Sequence, residues 1–398
     1  MSHSRKVGLS GILILAVVSL VVFFGLFNAL LTPKSANTAH AASSLSFHKF
    51  ANGPYKVQGK TILGVDGKPY LFHGVGRDGL EFACTGPGFL DTQHLALMGP
   101  PISNGISGGT YWHGNTVRLP LSEVFWLHGY SAQSCTQAMY QGLVKSTVDA
   151  LTSLKLNVIL DLQWTDAGGQ YTNHGGASFQ LADNDSISFW TQVAKIYSGY
   201  SNVLFELLNE PHPHTYSVPN KNIWSCWKYG CQITNDDSIQ GSCNCTPSYS
   251  GIGMQRLVNT VRAAGAKNLV LVAGTNWGYN LSKLASYPIT GSNIVYDTHP
   301  YPYNGKMPQD WDAAFGYLTA TAPVMSAENG QYDCNSDYMS QLLSYFDAHW
   351  MGWTAWAWYN TGNPKSICGF PQLMTDYNGT PAANMGTYIH QHLLSYIK

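Results

Sequence analysis

The chain has 398 residues, a formal net charge of −1 and only 11% charged residues, against about 25% in an average soluble protein. It has no basic run and no interleaving of basic and aromatic residues, which excludes the electrostatic footprint of a nucleic-acid binder. Aromatic residues are the enriched class, with 24 Tyr, 15 Phe and 12 Trp; they suit a ring-rich core or platforms for the C–H faces of sugars.

Arg5 and Lys6 precede an uncharged apolar stretch over 11–31, and Ala39-His40-Ala41 offers a small-x-small cleavage site. This is the layout of a signal peptide over 1–41, although the stretch is long enough to remain as an uncleaved anchor. Either way the main domain is expected outside the cytoplasm, secreted or held at the cell surface, with no further membrane segment. Residues 42–56 read as a short linker, and 57–398 as one domain.

Export makes the eight cysteines candidates for disulfides. Cys226, Cys231, Cys243 and Cys245 share one insertion and are expected to pair among themselves. Cys84 would then pair with Cys135, and Cys334 with Cys368. A zinc site in the cluster is the competing reading, disfavoured by the oxidising compartment and by the spacing.

Residues 57–75 read as a hairpin with Asp66-Gly67 at its turn. Eight short apolar, β-rich runs follow at 71–76, 116–119, 157–162, 203–208, 269–273, 294–299, 324–327 and 352–357. Helical patterns lie between them at 137–154, 186–197, 253–264, 310–319 and 338–349, and a last one at 383–396 closes the chain. Near-continuous apolar strands alternating with helices predict an α/β fold, a (β/α)8 TIM barrel with an N-terminal hairpin and a disulfide-rich insertion after the fourth strand.

In such a barrel the chemistry sits at the C-terminal ends of the strands, and the polar residues collect there. Arg118 ends the second run, Gln163 and Trp164 the third, and Asn209 and Glu210 the fourth. Trp277 follows the fifth, His299 and Tyr301 end the sixth, Glu328 the seventh and Trp356 the eighth. Two carboxylic acids at two strand ends, Glu210 and Glu328, are the minimum equipment of a retaining glycosidase.

Six strings in strand order carry a resemblance: Asn115 to Pro120 (NTVRLP), Ile159 to Trp164 (ILDLQW), Leu208 to Pro211 (LNEP), His299 to Tyr301 (HPY), Ala327 to Gly330 (AENG) and Trp353 to Trp356 (WTAW). Together they resemble glycoside hydrolase family 5, the cellulase family, over nearly all of the chain beyond the leader. The resemblance implies Glu210 as general acid/base and Glu328 as nucleophile, with Arg118 and Tyr301 donating to the nucleophile. It also implies Asn209 on the sugar 2-hydroxyl, His299 beside Glu210, and Trp356 as the floor under the sugar at the scissile bond. The family usually has histidine where this chain has Gln163, which cannot carry charge near neutral pH.

Each residue also has a bland reading: Arg118 as a structural ion pair, His299 as a bonded core histidine, Trp356 and Trp358 as core. Glu206 reads as a structural or barrel-lining group, and His212 and His214 as loop residues lacking a third metal ligand. Trp126, Trp164, Trp224, Trp227 and Trp277 are candidate sugar platforms, and the insertion over 215–249 lies where it could wall one end of a cleft. The expected reaction is hydrolysis of internal β-1,4 links in glucan. A mannanase or an exo-acting glycosidase of the same family is the near alternative, and a barrel that binds carbohydrate without cutting it the distant one. The expected partner is a polysaccharide or oligosaccharide, with no nucleic acid, no metal and no organic cofactor, and a monomer is expected.

Overall fold

The computed structural model describes residues 47–238, 246–333, 335–360, 370–383 and 385–397. The leader, the first five residues of the expected linker (42–46), and Cys243, Cys245, Cys334 and Cys368 lie outside the described residues. The chain opens with a hairpin, β1 (Lys56–Gln58) and β2 (Thr61–Leu63), followed by the barrel strands β3 (His73–Gly76), β4 (Thr116–Ser122), β5 (Asn157–Trp164) and β6 (Val203–Glu206). A second hairpin, β7 (Cys231–Ile233) and β8 (Tyr249–Gly251), interrupts them. The barrel then resumes with β9 (Val270–Ala273), β10 (Ile294–Asp297), β11 (Val324–Asn329) and β12 (Gly352–Ala355). The eight strands close in the order β10-β11-β12-β3-β4-β5-β6-β9, and every pairing is parallel.

The period of two along each strand divides its residues between two cores. Val158, Leu160 and Leu162 of β5 join Val117, Leu119 and Leu121 of β4 in the layer beneath the helices. Ile159, Leu204, Leu271, Val295 and Met325 point the other way and fill the barrel interior. Two residues further along the same inward rows the interior turns polar, with Asp161 after Ile159, Glu206 after Leu204 and Asp297 after Val295, all fully buried. One face of each strand thus carries apolar packing low in the barrel and charge near its mouth.

The outer layer is made by amphipathic helices. One of them, residues Gln137–Ser153, buries Tyr140, Val144, Val148 and Leu151, one stripe at i, i+3 and i, i+4 spacing. Thr136 caps it by accepting from the Met139 N–H. The pattern expected over 310–319 is not one helix: it breaks into short turns around Trp311–Ala314 and Gly316–Ala320. A side chain at Gly316 would collide with the Tyr345 hydroxyl.

The N-terminal hairpin differs from expectation in its turn. Gln58 pairs with Thr61, so Gly59 and Lys60 make the tight connection, with Gly59 at φ 58°. Asp66-Gly67 closes a second turn, in which the Gly64 N–H donates to Lys68 O at 2.9 Å. From Phe47 onward the chain lies against the barrel: Tyr55 and Ile62 join Tyr70 and Phe72 in the interior cluster. The Tyr55 hydroxyl donates to Asn157 Oδ1 at 2.6 Å, so this segment seals the end opposite the site.

Disulfides join Cys84 to Cys135 and Cys226 to Cys231. The first ties the loop after β3 to the chain before the 137–153 helix; the second lies within the insertion, as expected.

Candidate active site

The mouth of the barrel is organised by one guanidinium. Arg118, inward-facing on β4, is fully buried. Its Nε and Nη2 donate to the two oxygens of Glu206, each at 2.7 Å. Nη1 donates to Glu328 Oε2 at 2.8 Å, and Nη2 also donates to Asn209 Oδ1 at 2.7 Å. Such a paired fork suits a buried site, because arginine stays charged and matches carboxylate geometry. Although burial opposes its charge, Asp161, Glu206 and Glu328 keep Arg118 well above even its usual range. Burial would raise Glu206, but Arg118 outweighs it and lowers that carboxyl to about 2. Asp161 lies 3.0 Å from Arg118 Nη2, yet among the described residues neither of its oxygens accepts a hydrogen bond, and burial pushes its carboxyl well up.

Glu328 is in β11, and its other oxygen, Oε1, accepts from the Tyr301 hydroxyl at 2.8 Å. Burial and the charge of Glu210 raise this carboxyl; Arg118, His299 and Tyr301 pull against them. Oxygen atoms of Glu210 and Glu328 and a ring nitrogen of His299 all lie within 4.8 Å of one another. The Glu210 side chain is 17% exposed and that of Glu328 8%, so Glu210 is the more open to solvent.

His299 stands between the two layers of acid. Its Nε2 is 3.1 Å from Asp297 Oδ2 and 3.4 Å from Glu206 Oε1, and its Nδ1 is 3.5 Å from Glu210 Oε1. Burial would lower this imidazole, but Asp297, Glu206 and Glu210 together hold it well above its ordinary value. That direction favours the protonated imidazole beside Glu210. Arg118 is ion-paired and His299 is a bonded, buried histidine, as their bland readings have it, and both also sit among the acids at the mouth. Glu206 is the buried ion-pair partner expected.

Trp356 lies over Gly76, where even a Cβ would come 2.6 Å from the indole. The Arg118 guanidinium sits 5.8 Å from the ring centre. Trp358 is core, packed edge-on against Trp112. Gln163 and Trp164 end β5 half-buried, with Gln163 Oε1 unpaired among the described residues and Trp164 facing Phe82 at 6.4 Å. Neither lines the main cavity.

That cavity, of about 540 Å³, is lined by Glu210, Glu328, Tyr301 and Trp277, and by Asn276, Tyr303, Asn304, Lys306 and Tyr332. The last five were not anticipated. Lys306 follows Tyr301 by five residues in a Pro/Gly/Asn loop just past a strand end, and that position was the available signal. Among the expected platforms, Trp277 faces the cavity. Trp126, Trp224 and Trp227 do not serve: all three are buried in the core. The Trp126 and Trp227 indole N–H groups are spent on Gln192 Oε1 and Ala273 O. His212 is more than a loop residue. It is stacked on Trp277, centroids 3.5 Å apart, and its Nδ1 meets the Glu210 carbonyl at 2.5 Å.

A family model described as cellulase (glycosyl hydrolase family 5) matches residues 101–362. An endoglucanase of Clostridium saccharobutylicum is 22% identical over 336 residues, 82% of this chain and 61% of that protein. A manganese-dependent endoglucanase, Eg5A of Phanerodontia chrysosporium, is 29% identical over 159 residues, 36% of this chain and 31% of that protein. The chain thus spans between about a third and three-fifths of these relatives. Among solved structures, the β-glucanase SdGluc5_26A of Saccharophagus degradans in complex with cellotetraose superposes with a TM-score of 0.66. It is 21% identical and covers 89% of this chain and 97% of its own. The catalytic domain of Thermobifida fusca endoglucanase Cel5A superposes at 0.57 with 16% identity, over 86% of this chain and 98% of its own.

Proposed function

The chain belongs to glycosyl hydrolase family 5, and from that premise we propose that it is a secreted, retaining endo-β-1,4-glucanase. The observation that carries the reading is that one oxygen of Glu210 and one of Glu328 lie within 4.8 Å of each other across the barrel mouth. Retention by double displacement needs carboxyl groups about 5–5.5 Å apart, whereas inversion needs room for a water between them.

In the first half-reaction Glu328 attacks the anomeric carbon while Glu210 gives its proton to the departing glycosidic oxygen. Arg118 and Tyr301, each 2.8 Å from one Glu328 oxygen, hold that carboxylate in place and charged. Asn209 Oδ1 accepts from Arg118, so Nδ2 is the group that would donate to the sugar 2-hydroxyl. In the second half-reaction Glu210, now ionised beside the His299 cation, takes a proton from water. The water attacks the anomeric carbon and frees Glu328. Trp356 supports the sugar whose bond is broken. No step here is routed through a metal.

The glucan assignment is supported by the relatives named as endoglucanases and by the likeness to a β-glucanase holding cellotetraose. The test is product release from cellulose, mixed-linkage glucan, mannan and small aryl glycosides, with wild type beside Glu328→Gln. Wild type should release short oligosaccharides from the glucans, and the variant should lose roughly three or more orders of magnitude in kcat. Preference for mannan, or release of single sugars from chain ends, would overturn the substrate or the endo assignment. Substantial turnover by the variant would overturn the nucleophile.

A further inference from the structure

The main cavity runs from the two carboxylates toward Trp277 and Lys306 and leaves out Trp356 and Arg118. If Trp356 marks the sugar attacked by Glu328, this space lies beyond Glu210, on the side of the departing sugar. Two features of its wall are costly to maintain. Asn276 and Trp277 both adopt left-handed backbone, at φ 58° and 60°, a strained conformation for a residue as bulky as tryptophan. Lys306 is only 7% exposed and, among the described residues, has no ion-pair partner, which is rare for a lysine.

These two features meet. The left-handed turn brings the Asn276 carbonyl to Lys306 Nζ, which donates to it at 3.0 Å. The Trp277 indole is set against His212. Lys306 is also fixed through its backbone: its carbonyl accepts from Trp311 Nε1 at 3.0 Å and from the Tyr338 hydroxyl at 2.9 Å. Its N–H donates to Tyr303 O at 2.9 Å. The ammonium lies 5.1 Å from the Tyr279 ring centre and within the field of Glu210. An ammonium has three donors, so two are left once Asn276 is served.

We propose that Lys306 is a specificity-determining residue for the departing sugar, its ammonium binding hydroxyls of the glucosyl unit that lies on Trp277. This rests on the glucanase reading above. Burial lowers Lys306 to about 8, so it remains largely a cation at neutral pH. A buried charged donor lost from a hydroxyl contact costs on the order of 10- to 100-fold in affinity.

The test compares wild type, Lys306→Met and Lys306→Arg on cellotetraose and on an aryl β-cellobioside, whose departing ring offers no sugar hydroxyls. Lys306→Met should lose about 10- to 100-fold in kcat/KM on cellotetraose, mainly through KM, and less than about 3-fold on the aryl substrate. Lys306→Arg should fall between Lys306→Met and wild type. Retained aryl turnover also reports that the variant is folded; if Lys306→Met does not fold, Lys306→Gln takes its place. Equal losses on both substrates, or none on either, would overturn the assignment. A wild type that turns over the aryl substrate but not cellotetraose overturns it as well. One that turns over neither sinks the glucanase reading itself.

Discussion

Arg118 Nη1 donates to Glu328 Oε2 at 2.8 Å, while the same guanidinium grips both oxygens of Glu206 at 2.7 Å. One buried cation therefore ties the Glu328 carboxylate to the barrel interior, so its position and charge depend on an ion-pair network.

Replacing Arg118 should damage both catalysis and folding. Arg118→Met leaves Glu206 and Glu328 without their cation in a buried site, a loss of roughly 3–5 kcal/mol of stability. It should also lower kcat by at least about 100-fold, on the scale of removing one charge-stabilising group. Urea denaturation and steady-state kinetics on the same preparation would check both. A variant within a few-fold of wild type in kcat would show that Glu328 does not need this partner.

Stability should peak in mildly acidic solution. Burial raises Asp183 and Asp78 to about 7 in the folded chain, far above their unfolded values near 4. A raised carboxyl favours the folded state at low pH, and that contribution is lost as pH climbs from about 4 through 7. Glu206 behaves oppositely: lowered to about 2, it favours folding above pH 4 and loses that contribution as pH falls through 2. The melting temperature should therefore be highest near pH 4 and drop toward pH 8. Asp183→Asn, which can still cap the helix starting at Asn184, should flatten the alkaline side. A melting temperature rising steadily from pH 5 to pH 8 would contradict this.

The barrel was legible because its strands are buried on both faces, so 157–162 and 203–208 stand out as apolar runs whose polar residues fall at the ends. Arg118, Asn209, Glu210, His299, Tyr301 and Glu328 converge for the same reason. Less legible were contacts set by loops. Asp66-Gly67 is a sound turn signal, but it closes the second turn while Gly59-Lys60 closes the ladder. Trp126, Trp224 and Trp227 could not be told from Trp277, because composition does not say which ring lies in the core. His212 and Lys306 lie in loops with no periodicity; their roles depend on the backbone turn at Asn276 and Trp277 that brings Lys306 to a carbonyl and His212 to an indole.

The most direct test of the central claim is the stereochemistry of the first product. With the Glu210 and Glu328 oxygens within 4.8 Å, hydrolysis of a β-linked cello-oligosaccharide, followed by proton NMR in the first minutes, should give the β-anomer first. The α-anomer should follow only as mutarotation proceeds. If the α-anomer forms first, a single displacement by water is at work, and the assignment of Glu328 as nucleophile is wrong.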